Sequence, residues 1–425
     1  MLFRNAALRL LPVALLALAA CSESTTKTET SASTKATPDA GAPAQTPPAA
    51  PPTSADTVGA PGAPTTQPTA TAAPTDTAYV QDVATYLAGL PVRANSDLAA
   101  LAQGPAYQAF AKDQDKSWAK YTSTHTSRMT QWATHELDSV QRRSPTIFYP
   151  FSGPDFLNVA TLFPTSQAYV MVGLEPVGSV PARASLENFK LYPAIKASLW
   201  SVLNFSFFRT NDMAIDLKSV ELDGAVPLIM LFAARTGHQV LAVRPVQLTA
   251  TGQLTPGAAD TTRASGRPNI PGAEIQVRSA SGQAQTIYYF SADISDAKLK
   301  PHPALLTYAR TLGPLTTYVK SATYLMHKAY FSKIRNLVLA RSNYLLQDDS
   351  GIAMKYFPAS TWQFTYYGTY RRPINLFAKH YQPELTAAYT DSLHHPRPLP
   401  FGTGYNWRQT DSNLLLAQRR TPVSN

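Results

Sequence analysis

The sequence predicts an α/β (or α+β) body: a mixed, partly parallel sheet flanked by helices, with a helical section at its N-terminal end. Three observations lead there. Thr146-Ile-Phe-Tyr-Pro-Phe151 and Ala168-Tyr-Val-Met-Val172 are apolar without alternation, as strands of a parallel sheet covered on both faces are. Between them, Phe156 to Phe163 reads as a helix stopped by Pro164, completing a strand-helix-strand unit. Ahead of this unit, 79–145 is Ala-rich and charged, with apolar residues at helical spacing.

In the helical section Leu98, Leu101, Trp118, Tyr121 and Trp132 supply apolar contacts, Asn95 or Ser96 offers a cap, and Pro145 ends it. The first strand turns at Ser152-Gly-Pro-Asp155 and the second ends in Gly173-Leu-Glu-Pro-Val-Gly178. Ser152, Asp155 and Glu175 are therefore expected at the carboxyl edge of the sheet, where open α/β folds place ligands. Leu186 to Arg209 reads as a mostly apolar helix with Trp200, Phe205, Phe207 and Phe208 deeply buried, and Ala225 to Ala234 as a helix or a strand. Gln239 to Thr249 is an expected strand, as is the pair Glu274 to Arg278 and Thr286 to Phe290, joined across Ser281-Gly282; 250–272 between them is an expected surface loop. Val319, Ala322, Met326, Tyr330, Ile334 and Leu337 recur at helical spacing, which predicts one long amphipathic helix over Pro314 to Leu346. Thr361 to Tyr370 is an expected strand. From Pro396 a Pro/Gly/aromatic-rich section wraps the body before a last strand at Leu414 to Ala417.

Residues 1–20 have the parts of an export signal. Arg4 and Arg9 give a positive start, Leu10 to Leu18 is apolar apart from Pro12, and small residues follow. The apolar stretch is shorter than the ~20 residues that span a hydrocarbon core. Leu18-Ala19-Ala20-Cys21 resembles the lipobox of bacterial lipoproteins at all four positions. The resemblance implies that the preceding peptide is removed and that Cys21 carries the acyl chains, fatty acids such as palmitate, which hold a protein stably once there are several. Ser22 stands where lipoproteins kept in the inner membrane carry Asp, which implies delivery to the outer membrane. Cys21 is the single cysteine, so once it is acylated the body has no disulfide, thiolate metal site or thiol nucleophile.

From 21 to 78 the chain is rich in Ser, Thr, Ala, Pro and Gly with scattered charges and no aromatic residue, the composition of a disordered tether. Setting aside Arg4, Arg9, Lys27 and Lys35, and the acids Glu23, Glu29, Asp39, Asp56 and Asp76, leaves the globular part, 79–425, with 33 basic and 22 acidic residues. This net +11 suits an anionic partner in the envelope, a glycan or lipid head group. No nucleic-acid-binding motif is present, so nucleic acid is not an expected partner. The globular part divides into the helical section, 79–145, and the α/β body, 146–425.

Ser152, on a sharp strand-to-helix turn, has the setting of a hydrolase nucleophile elbow, but Pro150 and Pro154 stand where that elbow has glycine. A capping box, with Ser152 accepting from the first turn and Asp155 reaching back, fits better. Asp155, Glu175 and Asp293 with Asp296 each follow a strand; converging carboxylates act as acid and base or hold a hard cation, and separate ones begin turns. His125 and His135 are ten residues apart and His394-His395 lies among prolines, so no zinc pattern occurs and no metal site is expected. No phosphate-binding glycine loop is present, so no cofactor is expected. Trp362, Phe364 and Tyr366 share one face of a strand, which covers a core or stacks sugars. Lys320, Lys328, Lys333, Arg335 and Arg341 occur without an acid between 320 and 341, a basic face that favours an anionic partner, with Lys328, Lys333 and Arg335 the binding candidates.

Tyr149-Pro-Phe-Ser-Gly-Pro-Asp155 and Pro400-Phe-Gly-Thr-Gly-Tyr405 resemble segments of uncharacterised bacterial envelope proteins. The resemblance implies a location and no activity. The expectation is an envelope lipoprotein whose body binds an anionic glycan, lipid or envelope partner without catalysis. The alternative is an envelope hydrolase using Ser152, Asp155, Glu175 or Asp293.

Overall fold

A computed structural model describes residues 77–205, 222, 224–257, 269–391 and 395–423. The signal segment, Cys21 and most of the tether lie outside the described residues, as do Phe207, Phe208 and His394. The helical section begins with α1 (Thr77–Leu87), whose Val80, Val83, Ala84 and Leu87 are buried. Helix α2 (Pro105–Tyr121) runs through a π-helical turn, Thr122–Thr126, into α3 (Ser127–Glu136). Trp118, Tyr121 and Trp132 are buried, as their helical spacing requires.

The strand-helix-strand unit forms as its sequence predicts. Strand β1 (Thr146–Tyr149) leads into α4 (Phe156–Leu162) and β2 (Ala168–Gly173), and the strands pair in parallel with Thr146 opposite Ala168 and Tyr149 opposite Met171. Next come α5 (Leu191–Phe205), with Pro193 tolerated in its first turn, and α6 (Val226–Arg235). Every residue of α6 from Val226 to Ala234 is buried, which is why its pattern carries no helical period. Trp200 faces outward and is 51% exposed, against the deep burial its apolar helix suggests.

Strand β3 (Gln239–Leu248) pairs antiparallel with β4 (Leu254–Pro256) and with β5 (Ile270–Arg278), so the expected loop at 250–272 contributes an edge strand and the start of another. β5 turns into β6 (Ala284–Ser291) as an antiparallel hairpin. After α7 (Ala304–Thr311), the long helix expected over 314–346 is instead β7 (Leu315–Val319), two short 3-10 turns, α8 (Ser332–Arg341) and β8 (Ser342–Gln347). The reason is visible in the backbone. All five β7 residues are buried, so the strand has no period of two, and Ser321, Thr323 and Tyr324 have positive φ, which breaks any helix there. The body closes with β9 (Trp362–Gly368), α9 (Pro383–Thr390) and β10 (Asn413–Arg419).

All ten strands join one mixed sheet in the order β4-β3-β5-β6-β2-β1-β7-β8-β10-β9. The central five, β6-β2-β1-β7-β8, are parallel, and antiparallel strands flank them on both sides. The chain adds β2 on one side of β1 and β7 on the other. With right-handed crossovers, opposite directions of travel put the connecting helices on opposite faces. Accordingly α4 packs in one core with α1, α6 and the Tyr149, Tyr169 and Met171 side of the sheet. Helices α7 and α8 pack in a second core with Phe148, Val170 and Val172. The reversal of strand order falls between β1 and β7, the switch point beside which such folds bind ligands.

Candidate functional site

The chain leaving β1, β7 and β8 delivers charged residues to the switch point. From β1 comes Asp155, which caps α4: its Oδ1 accepts from the Asn158 backbone N–H at 3.2 Å and from Asn158 Nδ2 at 2.8 Å. Its Oδ2 accepts from the Tyr149 hydroxyl at 2.9 Å and pairs with Lys320 Nζ, delivered by β7, at 2.7 Å. Both charged side chains are only 2% exposed, so the pair bolts the exit of β1 to the exit of β7 at the switch point. From β8 come Asp348 and Asp349. Asp348 accepts from the Ser321 N–H at 2.9 Å and from the Ser350 N–H and hydroxyl at 3.0 and 2.5 Å. Asp349 accepts from the Tyr324 hydroxyl and from Asn413 Nδ2 at 3.0 Å. Burial, then the Asp348 charge beside it, pushes the Asp349 carboxyl up to about 7.

The other predicted residues do not join this group. Ser152 is not the cap, because its hydroxyl donates to Val172 O at 3.1 Å and Gly153 O at 2.8 Å, leaving Asp155 alone to satisfy the helix. Glu175 is buried and accepts from the Tyr289 hydroxyl through its own carbonyl at 2.9 Å and its Oε2 at 3.2 Å. Asp293 accepts from the Ser295 N–H at 2.9 Å in a turn. Asp296 holds the start of α8 by accepting from Ser332 N, Ser332 Oγ and Lys333 N. Lys333 therefore touches this cap. Arg335 is buried, donates to Met326 O and Lys328 O at 2.9 Å each, and lies 3.8 Å over the Tyr356 ring, which makes it a brace. Lys328 lines a separate cleft. Trp362 and Tyr366 are buried and cover two cores. Among the described residues no group of three or more His, Cys, Asp or Glu is arranged to hold a metal ion.

Beside the switch point lies a cleft of about 410 Å³. One wall comes from the helical section: Tyr121, His125 and Arg128, set by the π-helical turn, a local insertion common at functional sites. His125 stacks on Tyr121 with ring centroids 4.8 Å apart and meets Phe401 edge-on at 5.9 Å. Burial, with the nearby Lys320 and Arg128 cations, pushes His125 down to about 3, so it is neutral at physiological pH. Leu203 and Asn204 at the end of α5 form a second wall.

The third wall is the C-terminal loop carrying Phe401, Trp407, Arg408 and Gln409. This loop is tightly built. A Cβ on Gly402 would collide with the Trp407 carbonyl, and Gly404, at φ +69°, would place one against the Asp348 carboxylate. Ser412 Oγ accepts from the Thr403 N–H at 2.8 Å, Tyr405 donates to Ser321 O at 2.8 Å, and Arg128 donates to Gln409 Oε1 at 3.0 Å. Trp407, two guanidiniums and two amides thus face one cleft, with Tyr121 and Phe401 buried beneath it, and none of its lining residues is acidic. No known family, curated protein or solved structure matches this chain.

Proposed function

We propose that this chain is a lipid-anchored protein of the bacterial cell envelope, held at the outer membrane through Cys21, whose body binds an acidic glycan in the cleft beside the switch point. One observation carries the ligand class: the partly exposed Trp407 lies alongside Arg128 and Arg408 in an acid-free cleft, backed by the buried rings of Tyr121 and Phe401. Sugar rings present flat apolar faces that aromatic rings cover, and guanidinium groups pair with carboxylates in a planar fork. Neutral His125, Asn204 and Gln409 supply hydrogen bonds for hydroxyls. Separation of Ser152, Glu175 and Asp293 into different structural bonds supports binding over hydrolysis.

Titration calorimetry of the full-length protein in detergent with an oligogalacturonide tests this. Binding is expected, with Trp407→Ala and Arg128→Ala each weakening it at least about tenfold, the usual effect of truncating a central anchor. No binding to acidic oligosaccharides, or unchanged affinity in Trp407→Ala, would refute it.

A further inference from the structure

A second cleft, of about 390 Å³, opens where the segments following β7, β8 and β9 meet. It is lined by His327, Lys328, Lys355, Lys379 and His380, with Glu384 as the one acidic residue. Among the described residues, none of the three lysines has a carboxylate within ion-pair distance. Their mutual repulsion is felt inside the cleft. Burial and the Lys379 charge lower Lys328; burial and then His380, Lys355 and Lys328 push His327 down to about 3; burial, Lys328 and Lys379 lower His380.

Three further features point the same way. The eight-residue helix α9 starts at the cleft with Gln382 as its N-cap, so its positive dipole end adds to the lysines. His327 Nε2 is buried and has no hydrogen-bond partner in the protein. The histidines are held in place by Tyr324, which stacks on His380 with centroids 5.0 Å apart and planes 9° from parallel and meets His327 edge-on at 5.1 Å. A protein does not gather unpaired cations around a concave surface without cost, and a bound anion removes that cost.

We infer that this cleft binds a phosphate monoester group. Ammonium groups act as point charges that surround a compact tetrahedral dianion, whereas the planar carboxylates of an acidic glycan are matched by guanidinium forks such as those of the other cleft. Tyr381, 48% exposed, also lines the cleft and offers a face to the organic part of the ester. The site is independent of the acidic-glycan cleft and of its ligand.

Calorimetry of the full-length protein in detergent with inorganic phosphate is the primary test. Phosphate is expected to bind, with affinity falling as NaCl is raised. The pair Lys328→Ala/Lys379→Ala, half-buried and exposed respectively, should weaken it about a hundredfold, roughly tenfold per charge-assisted contact, while Lys379→Arg and the distant Lys298→Ala retain it. Two esters then distinguish the source: glycerol 3-phosphate and dioctanoyl phosphatidate binding equally indicate a soluble phosphate, and phosphatidate binding tenfold tighter indicates a lipid head group. Absence of phosphate binding at millimolar concentration, or equal affinity in the double variant with its unfolding midpoint unchanged, overturns the inference.

Discussion

Asp349 is a carboxyl group shut away from water beside a second one, Asp348, and both are buried. Folding raises its pKa to about 7 from the ordinary carboxylate range. A group raised in this way contributes stability fully below its unfolded value of about 4, and loses it as pH climbs through 7. Asp349→Asn stays neutral throughout while keeping an oxygen for Tyr324 or Asn413. Urea unfolding should therefore show the variant gaining on the wild type between pH 4.5 and pH 8, and a stability difference that is the same at both pH values would refute the shift. His125 and His327 act in the opposite sense, losing stability as pH falls below about 6.5, but both are present in wild type and variant alike and cancel in the comparison.

At the scale of elements, the Asp155 to Lys320 pair joins the exits of β1 and β7 and at the same time caps α4. Removing one partner of a buried pair strands the other charge, which costs about 3–5 kcal/mol, whereas replacing both with apolar residues is often neutral. Asp155→Ala should lower unfolding free energy by about that amount in urea titrations. Asp155→Leu/Lys320→Met should recover all but the share of the cap, about 1 kcal/mol, and a double variant no better than the single would overturn the stranded-charge account. The loop of Phe401 to Ser412 belongs to the same scale. Its glycines let backbone reach backbone and Asp348, and this closeness presents Trp407 and Arg408 on a rigid frame.

At the scale of the whole molecule, one sheet separates two cores, and the described residues all belong to the unit Pro68–Asn425. The two clefts have acid-free and acid-poor linings that fit the excess of basic over acidic residues. Among the described residues no helix is long and apolar enough to cross a membrane. Membrane attachment in the reading proposed above therefore depends on Cys21. Labelling with a fatty acid in a Gram-negative host should mark the wild-type chain and leave Cys21→Ala unmarked, and equal labelling of the two would remove the anchor from the proposal.

Read by itself, the sequence determined the elements whose burial is one-sided or uniform and locally bounded. The β1-α4-β2 unit, the β5-β6 hairpin and the helical section were legible because turn residues and prolines bracket them. It also placed Asp155 at the carboxyl edge of the sheet, though not its partner. Lys320 looked like one cation on an amphipathic helix, because the buried strand β7 and the following turns mimic helical spacing over Val319 to Leu337. Asp348, Asp349 and His125 carried no local signal at all. Their chemistry arises from neighbours far along the chain: Asn413 and Tyr324 for Asp349, Lys320 and Phe401 for His125. Sequence patterns record which side of an element is buried, since burial repeats with the backbone period. Only tertiary structure decides where the strand order reverses, and hence which charges meet at the switch point, because that depends on contacts with no fixed separation along the chain.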